Sequence, residues 1–292
     1  MRFSTLLYTT ALFMMLLSAC SQDDVEPTVN AGNTPPPDAL YSDIEVKGYV
    51  TKCYIAAYGR KPSDAEADQH VAQLQNDKMS LEARDQFLQP LLADAQHKRL
   101  LYDRLVADML NNADSAAMQQ QIDAFEDILA RPEYEPFRPL VQEELDRMIL
   151  LQDADDDFAD GRIDFKTLEK RIIFNRLYDD INMGTLNFVI SVFEHLLERQ
   201  PTEDELERGI NMCDGNQEVI FLQDGASKND FMDILLNSND YHAETVRRQY
   251  QRHLFRDPTP DELLTQTEAY QNTGDFFALE QAIMRKTEFV NR

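Results

Sequence analysis

The strongest constraint on this chain's fold is a pattern that it repeats. Val50, Tyr54, Tyr58, Arg60, Pro62, Ser63 and Glu66 recur at identical spacing as Val189, Phe193, Leu197, Arg199, Pro201, Thr202 and Glu205. They recur again as Val246, Tyr250, Leu254, Arg256, Pro258, Thr259 and Glu262. A decayed copy, Phe125 to Pro132, lies between the first two; its proline follows Arg131 directly, and the Ser/Thr-x-x-Glu tail is lost. Self-similarity at such a period marks a chain assembled from copies of one supersecondary unit.

Each position has a mechanical reading. Large apolar residues at i, i+4 and i+8 make one buried stripe of a helix, here helix A. Proline cannot continue that helix and pushes its predecessor out of helical geometry, so Pro62, Pro132, Pro201 and Pro258 are helix stops. Ser63, Thr202 and Thr259 then stand as N-caps of a second helix, B, and Glu66, Glu205 and Glu262 complete capping boxes three residues later. Punctuation explains every position but the arginine. Arg60, Arg131, Arg199 and Arg256 are expected to bond the end of helix A or a neighbouring acid, as joints and not as reactive centres.

A second beat follows. Asn76-Asp77, Asp160-Gly161, Asp224-Gly225 and Thr273-Gly274 read as turns, each before a helix C. Its apolar positions are Phe87, Leu88, Leu91 and Leu92 in the first unit and Phe165, Leu168, Ile172 and Ile173 in the second. They are Phe231, Ile234, Leu235 and Tyr241 in the third, and Phe277, Leu279, Ile283 and Phe289 in the fourth. Glycine is scarce, and alternating β-branched runs are absent. The prediction is an all-α chain of four tandem two- or three-helix units, residues 44–118, 119–186 (degenerate), 187–243 and 244–292, forming a short curved array.

The region before the repeats is different in kind. Residues 1–19 carry Arg2, an apolar run from Leu6 to Leu17 and small residues, which reads as a secretory signal too short to span a bilayer. Leu17-Ser18-Ala19-Cys20 resembles the lipobox of bacterial lipoproteins. That resemblance implies cleavage before Cys20, acylation of its thiol and a membrane tether made of lipid alone. Ser21 after the cysteine resembles outer-membrane cargo, and Asp23, Asp24 and Glu26 resemble a surface-export signal, which leaves the leaflet open. Residues 20–43, with Pro35-Pro36-Pro37, read as a disordered spacer.

Leu235-Leu236-Asn237-Ser238-Asn239-Asp240-Tyr241, together with Arg199-Gln200-Pro201-Thr202, resembles the helical module of planctomycete cytochrome-associated surface proteins. It also resembles a three-helix domain of unknown function found in secreted and surface-layer proteins and, more remotely, the phycobilisome linker domain. The resemblance implies binding or assembly and supplies no catalytic residues.

Net charge is -25, from 53 acidic and 28 basic residues, which repels nucleic acid and anionic headgroups. Cys53 and Cys213 are expected as buried free thiols. Asp156 to Thr167 resembles an EF-hand loop, with Asp156, Asp160 and Asp164 as a weak calcium candidate. Phe158 and Thr167, however, stand where oxygen ligands belong. Glu194-His195-x-x-Glu198 is a weak metal pattern, and His253 aligns with apolar positions of the other copies. No nucleotide, nucleophile-elbow or haem motif is present. The expectation is a non-enzymatic, membrane-anchored scaffold or adaptor without cofactor that binds another envelope or surface protein. The Pro132–Pro139 segment, rich in aromatics and prolines, is the first place to seek a contact. Alternatives are an enzyme with a site between repeats and a calcium-responsive module.

Overall fold

A computed structural model describes residues 41–292. The predicted signal (residues 1–19), Cys20 and the predicted spacer as far as residue 40 lie outside the described residues. The spacer's last residues, expected to be disordered, instead start the first helix, with Ser42 as its N-cap and Asp43 as its first residue. The described chain is all-α apart from one small hairpin.

Helix A of the first unit is α1 (Asp43–Tyr58), followed by B, α2 (Asp64–Asn76), and C, α3 (Leu81–Ala93). Then come α4 (Ala95–Met109), α5 (Ser115–Leu129), a 3-10 turn (Pro132–Phe137), α6 (Arg138–Gln152), α7 (Ala154–Ala159), α8 (Phe165–Ile173) and α9 (Arg176–Ile181). The third unit is α10 (Thr185–Leu197), α11 (Glu203–Cys213), strands β1 (Glu218–Ile220) and β2 (Gln223–Gly225), and α12 (Lys228–Leu236). The fourth is α13 (Asn239–Leu254), α14 (Pro260–Thr273), α15 (Phe276–Met284) and α16 (Thr287–Val290).

The units start a little earlier than the repeat pattern predicts. Boundaries at 44, 119, 187 and 244 fall inside α1, α5, α10 and α13, because the real breaks are the N-caps Ser42, Asp114, Gly184 and Ser238. Asp224-Gly225 is not a turn. It sits in β2, opposite Val219 and Glu218, and the reversal is made by Phe221 and Leu222, both at positive φ. Gly225 is needed for closeness: a Cβ there would sit 2.7 Å from Asp230 Cβ and 2.8 Å from Met212 Sδ.

A four-fold signal unites the ends of the C helices. At the end of each C helix an apolar residue, one spacer and the N-cap of the next helix precede a ring two positions on from the first helical residue. The sets are Leu92, Asp94 and His97; Ile173, Asn175 and Tyr178; Leu236, Ser238 and Tyr241; and Met284, Lys286 and Phe289. All four rings are buried. Tyr241 and Phe289 therefore belong to the helix after C, and Phe276 rather than Phe277 is the deeply buried ring at the start of α15.

This register reveals an exchange of partners between the two halves of the chain. α3 packs against α15, and α8 packs against α12, so each half lays its helix C on the other half. α4, at the end of the first unit, packs on α1 as α13 packs on α10. Phe165 of α8 and Phe276 of α15, each the first residue of its helix, stack at 3.9 Å where the halves meet. The first and last units touch directly: Lys52 Nζ donates to the carbonyls of Phe289 and Val290 at 2.7 and 2.8 Å. A guanidinium N–H of Arg84 also reaches the Arg285 carbonyl, at 2.6 Å. The array curves far enough to close on itself, and one continuous core runs through it.

Candidate functional site

The three full hinges share one construction. The box glutamates Glu66, Glu205 and Glu262 each accept from the N-cap backbone and from both arms of the arginine six residues before. Those arginines also donate to the carbonyls of Lys61, Gln200 and Asp257. Each guanidinium lies 5.1 to 5.5 Å from the ring on helix A six positions earlier: Tyr54, Phe193 or Tyr250. One fork thus clamps the end of helix A, the linker and the cap of helix B. Bidentate bonding to Arg60 and the bonds from Ser63 hold the Glu66 carboxyl down to about 2.

Arg131 and Pro132 do not build this joint. Among the described residues Arg131 makes no ion pair, and the 3-10 turn after it has no side-chain cap. The missing Ser/Thr-x-x-Glu leaves the arginine nothing to clamp. Arg138 works here instead, donating to the Leu129 carbonyl and to Glu135. Tyr134, Phe137 and Leu140 remain exposed on this hairpin.

The calcium candidate is also dismantled. Asp156 pairs with Arg99, Asp160 with Arg162, and Asp164 accepts from the Thr167 backbone as an N-cap. Asp157 bridges Arg162 and Arg171. No metal-ligand group of three is found among the described residues. His195 is hydrogen-bonded to Tyr178 at 2.7 Å, and Glu194 accepts from Gln200.

Two buried carboxylates went unnoticed in the sequence. Glu169 and Glu280 are the fifth residues of α8 and α15, and both are 0 % exposed. Glu169 accepts from Tyr241 Oη at 2.6 Å and from Arg248 at 3.3 Å. Glu280 holds His97 Nε2 at 2.7 Å and His253 Nε2 at 3.1 Å. The other nitrogen of His97 faces the Ala57 carbonyl at 3.1 Å, which can only accept, so Nδ1 carries a proton. Burial pushes the Glu169 carboxyl up, and Arg248 and Tyr241 do not fully offset it. Burial also acts to raise Glu280, but the two histidines outweigh it and hold this carboxyl well below the usual range. Equal spacing from the helix caps would have paired these acids in the sequence; only packing supplies their partners.

Above the Glu280 cluster lies a recess of about 250 Å³. Lys52 of α1, Arg104 of α4, Arg252 of α13 and the C-terminal Arg292 line it. Its apolar surface is Ile55, Ala56, Phe255 and Phe289, with His253 at its base already engaged by Glu280. No Asp or Glu lines it among the described residues, in a chain whose net charge is -25. Arg252 Nη2 is buried without a hydrogen-bond partner, and burial pulls this guanidinium below its ordinary range. Lys52 is lowered likewise by burial; it reaches carbonyl oxygens and no acid. An adjoining hollow of about 440 Å³ shares Arg104 and Arg252 and contains Glu198 and Arg248. Two larger hollows, about 590 and 600 Å³, are internally neutralised, by Asp179 with Lys228 and by Asp240 with Arg199.

The residue before each hinge arginine is left-handed: Gly59, Glu198 and Phe255, with φ of 66°, 48° and 51°. Glycine takes that conformation freely, whereas a side chain costs on the order of 1 to 2 kcal/mol. Phe255 bears that cost while 77 % exposed, with Arg292 4.5 Å over its ring.

Cys53 is buried and Cys213 half-buried, both as free thiols, and burial raises both; Cys213 is pushed up to about 12. No described helix is long and apolar enough to cross a membrane. Comparison of the chain with protein families, with curated proteins and with solved structures gives no match.

Proposed function

We propose that this chain is a non-enzymatic adaptor, held to the cell envelope by a lipid on Cys20, that recognises an anionic partner protein through the recess between α1, α4 and α13. One observation carries the reading: an acidic body gathers around an apolar hollow four cations that make no ion pair among the described residues. Lys52, Arg104, Arg252 and Arg292 converge there, while cations elsewhere in the molecule are repeatedly spent on carboxylates. Groups suited to proton transfer point the same way. Glu280, His97 and His253 bond one another, Glu169 is sealed by Tyr241 and Arg248, and the thiols are driven toward their neutral form. A local positive field in a negative surround selects partners by charge and speeds their arrival.

The test is crosslinking and affinity purification of the full lipoprotein from membranes, beside the Lys52→Glu/Arg252→Glu double variant. The expected result is a protein recovered near one-to-one with the parent chain and depleted with the variant. Recovery of no protein, or equal recovery with both chains, overturns the reading.

A further inference from the structure

We infer that the recess is a binding site for an amphipathic carboxylate, one anionic head joined to an apolar group about the size of a single large side chain; this rests on reading the recess as the recognition site. The head is specified by Arg252 and Lys52. A guanidinium fork matches the planar geometry of a carboxylate, and both cations line the hollow without a carboxylate bound to either among the described residues. The apolar part is specified by Phe255, Phe289 and Ile55. A mostly apolar wall favours a weakly hydrated monoanion over a phosphate dianion, whose desolvation is far costlier. A volume of about 250 Å³ is below the usual range for drug-sized ligands, and so suits a group of about one side chain. Phe255 is the second mark: its left-handed backbone is the helix end that all three full hinges share, but here that position carries a large exposed ring set against the hollow.

Such a group can arrive as a free acid or as the C-terminus of a polypeptide. The adjoining hollow shares Arg104 and Arg252, so a peptide's preceding residues have somewhere to lie.

Calorimetric titration of the full-length protein separates these cases. The probes are 3-phenylpropionate, 3-phenylpropanol, acetate, and a pentapeptide Gly-Gly-Gly-Gly-Phe with free or amidated terminus. Phenylpropionate and the free-terminus peptide bind, while phenylpropanol, acetate and the amide bind at least about tenfold more weakly, the loss expected for one charge-assisted hydrogen bond. Tighter binding by the peptide assigns the site to a polypeptide terminus; tighter binding by phenylpropionate assigns it to a free acid. Arg252→Gln and Phe255→Gly both lose binding at least about tenfold while Tm stays level or rises, since one removes a buried unpaired charge and the other a strained backbone. A merely structural role would lower Tm and spare affinity. The inference is overturned if neither carboxylate binds, if the uncharged probes bind equally, or if both variants bind as the parent does. Binding of these probes without any recovered protein would sink the adaptor reading alone. A protein partner retained by Arg252→Gln, with no probe binding, would sink this inference but leave an adaptor.

Discussion

Glu169 and Glu280 occupy the same place in two copies of helix C, are equally buried, and are driven in opposite directions. Glu280 faces His97 and His253, each hydrogen-bonded to one of its two oxygens. Glu169 faces Tyr241 and a distant arm of Arg248. His97 and Tyr241 are themselves equivalent, each the third residue of the helix that follows C. Changing the two partners that meet each acid, one of them the ring at a repeated position, therefore reverses the direction in which the carboxyl is driven. The lesson is that repetition preserves the socket and divergence rewrites its electrostatics.

The sharpest way to break this comparison is to neutralise each acid. Glu280→Gln should cost about 3 kcal/mol of unfolding free energy at neutral pH, because both histidines lose their charged acceptor in a dry site. Glu169→Gln should cost about 1 kcal/mol or less, since an amide oxygen still accepts from Tyr241 and burial already disfavours the ionised acid. Urea denaturation of both variants tests this, and equal costs would erase the contrast.

Acid titration of stability is the next test. Glu280 is depressed, so its contribution is present above the unfolded carboxyl value, near 4.3, and is lost as pH falls below that through its lower folded value. The gap between the parent and Glu280→Gln should then shrink in acid. Glu169 is raised, so its contribution is full below the unfolded value and is lost as pH rises through the folded one. Glu169→Gln should accordingly gain on the parent as pH rises above the unfolded carboxyl value, near 4.3. Parallel profiles for the two variants would show that their surroundings do not differ as described.

The hinges offer a smaller contrast. Arg256→Met should cost about 1 to 2 kcal/mol, through loss of the fork to Glu262, the pair with Glu288 and the contact with Tyr250. Arg131→Met should lie within about 0.5 kcal/mol of the parent. The smallest effect concerns calcium. With Asp156, Asp157 and Asp160 bound to arginines, millimolar calcium should move Tm by less than about 1 °C, measured by calorimetry. A larger rise would restore the loop as a cation site.

Much of the fold was legible because helix punctuation is local. Proline stops, Ser/Thr–Glu boxes and the apolar stripes Val50–Tyr54, Val189–Phe193 and Val246–Tyr250 all act within one or two turns, and α1, α10 and α13 end and their B helices begin where those residues stand. Misreadings arose where local rules were ambiguous. Asp224-Gly225 has turn composition, yet Gly225 is there for a close approach to Met212. Arg131-Pro132 looks like a hinge but lacks the glutamate that gives the arginine work. The recess was not legible at all, because Lys52, Arg104, Arg252 and Arg292 are strewn along the chain in segments with no shared motif.

By itself, then, the sequence determined that this is a chain of short helices, where most of them start and stop, and that their joints are clamps, since those forces reach only a few residues. The closure of the last unit on the first, the crossing of the C helices between halves and the meeting of four cations over a buried acid were decided by tertiary packing. Those contacts join residues up to 238 positions apart, and no periodicity along a chain encodes which distant faces will meet.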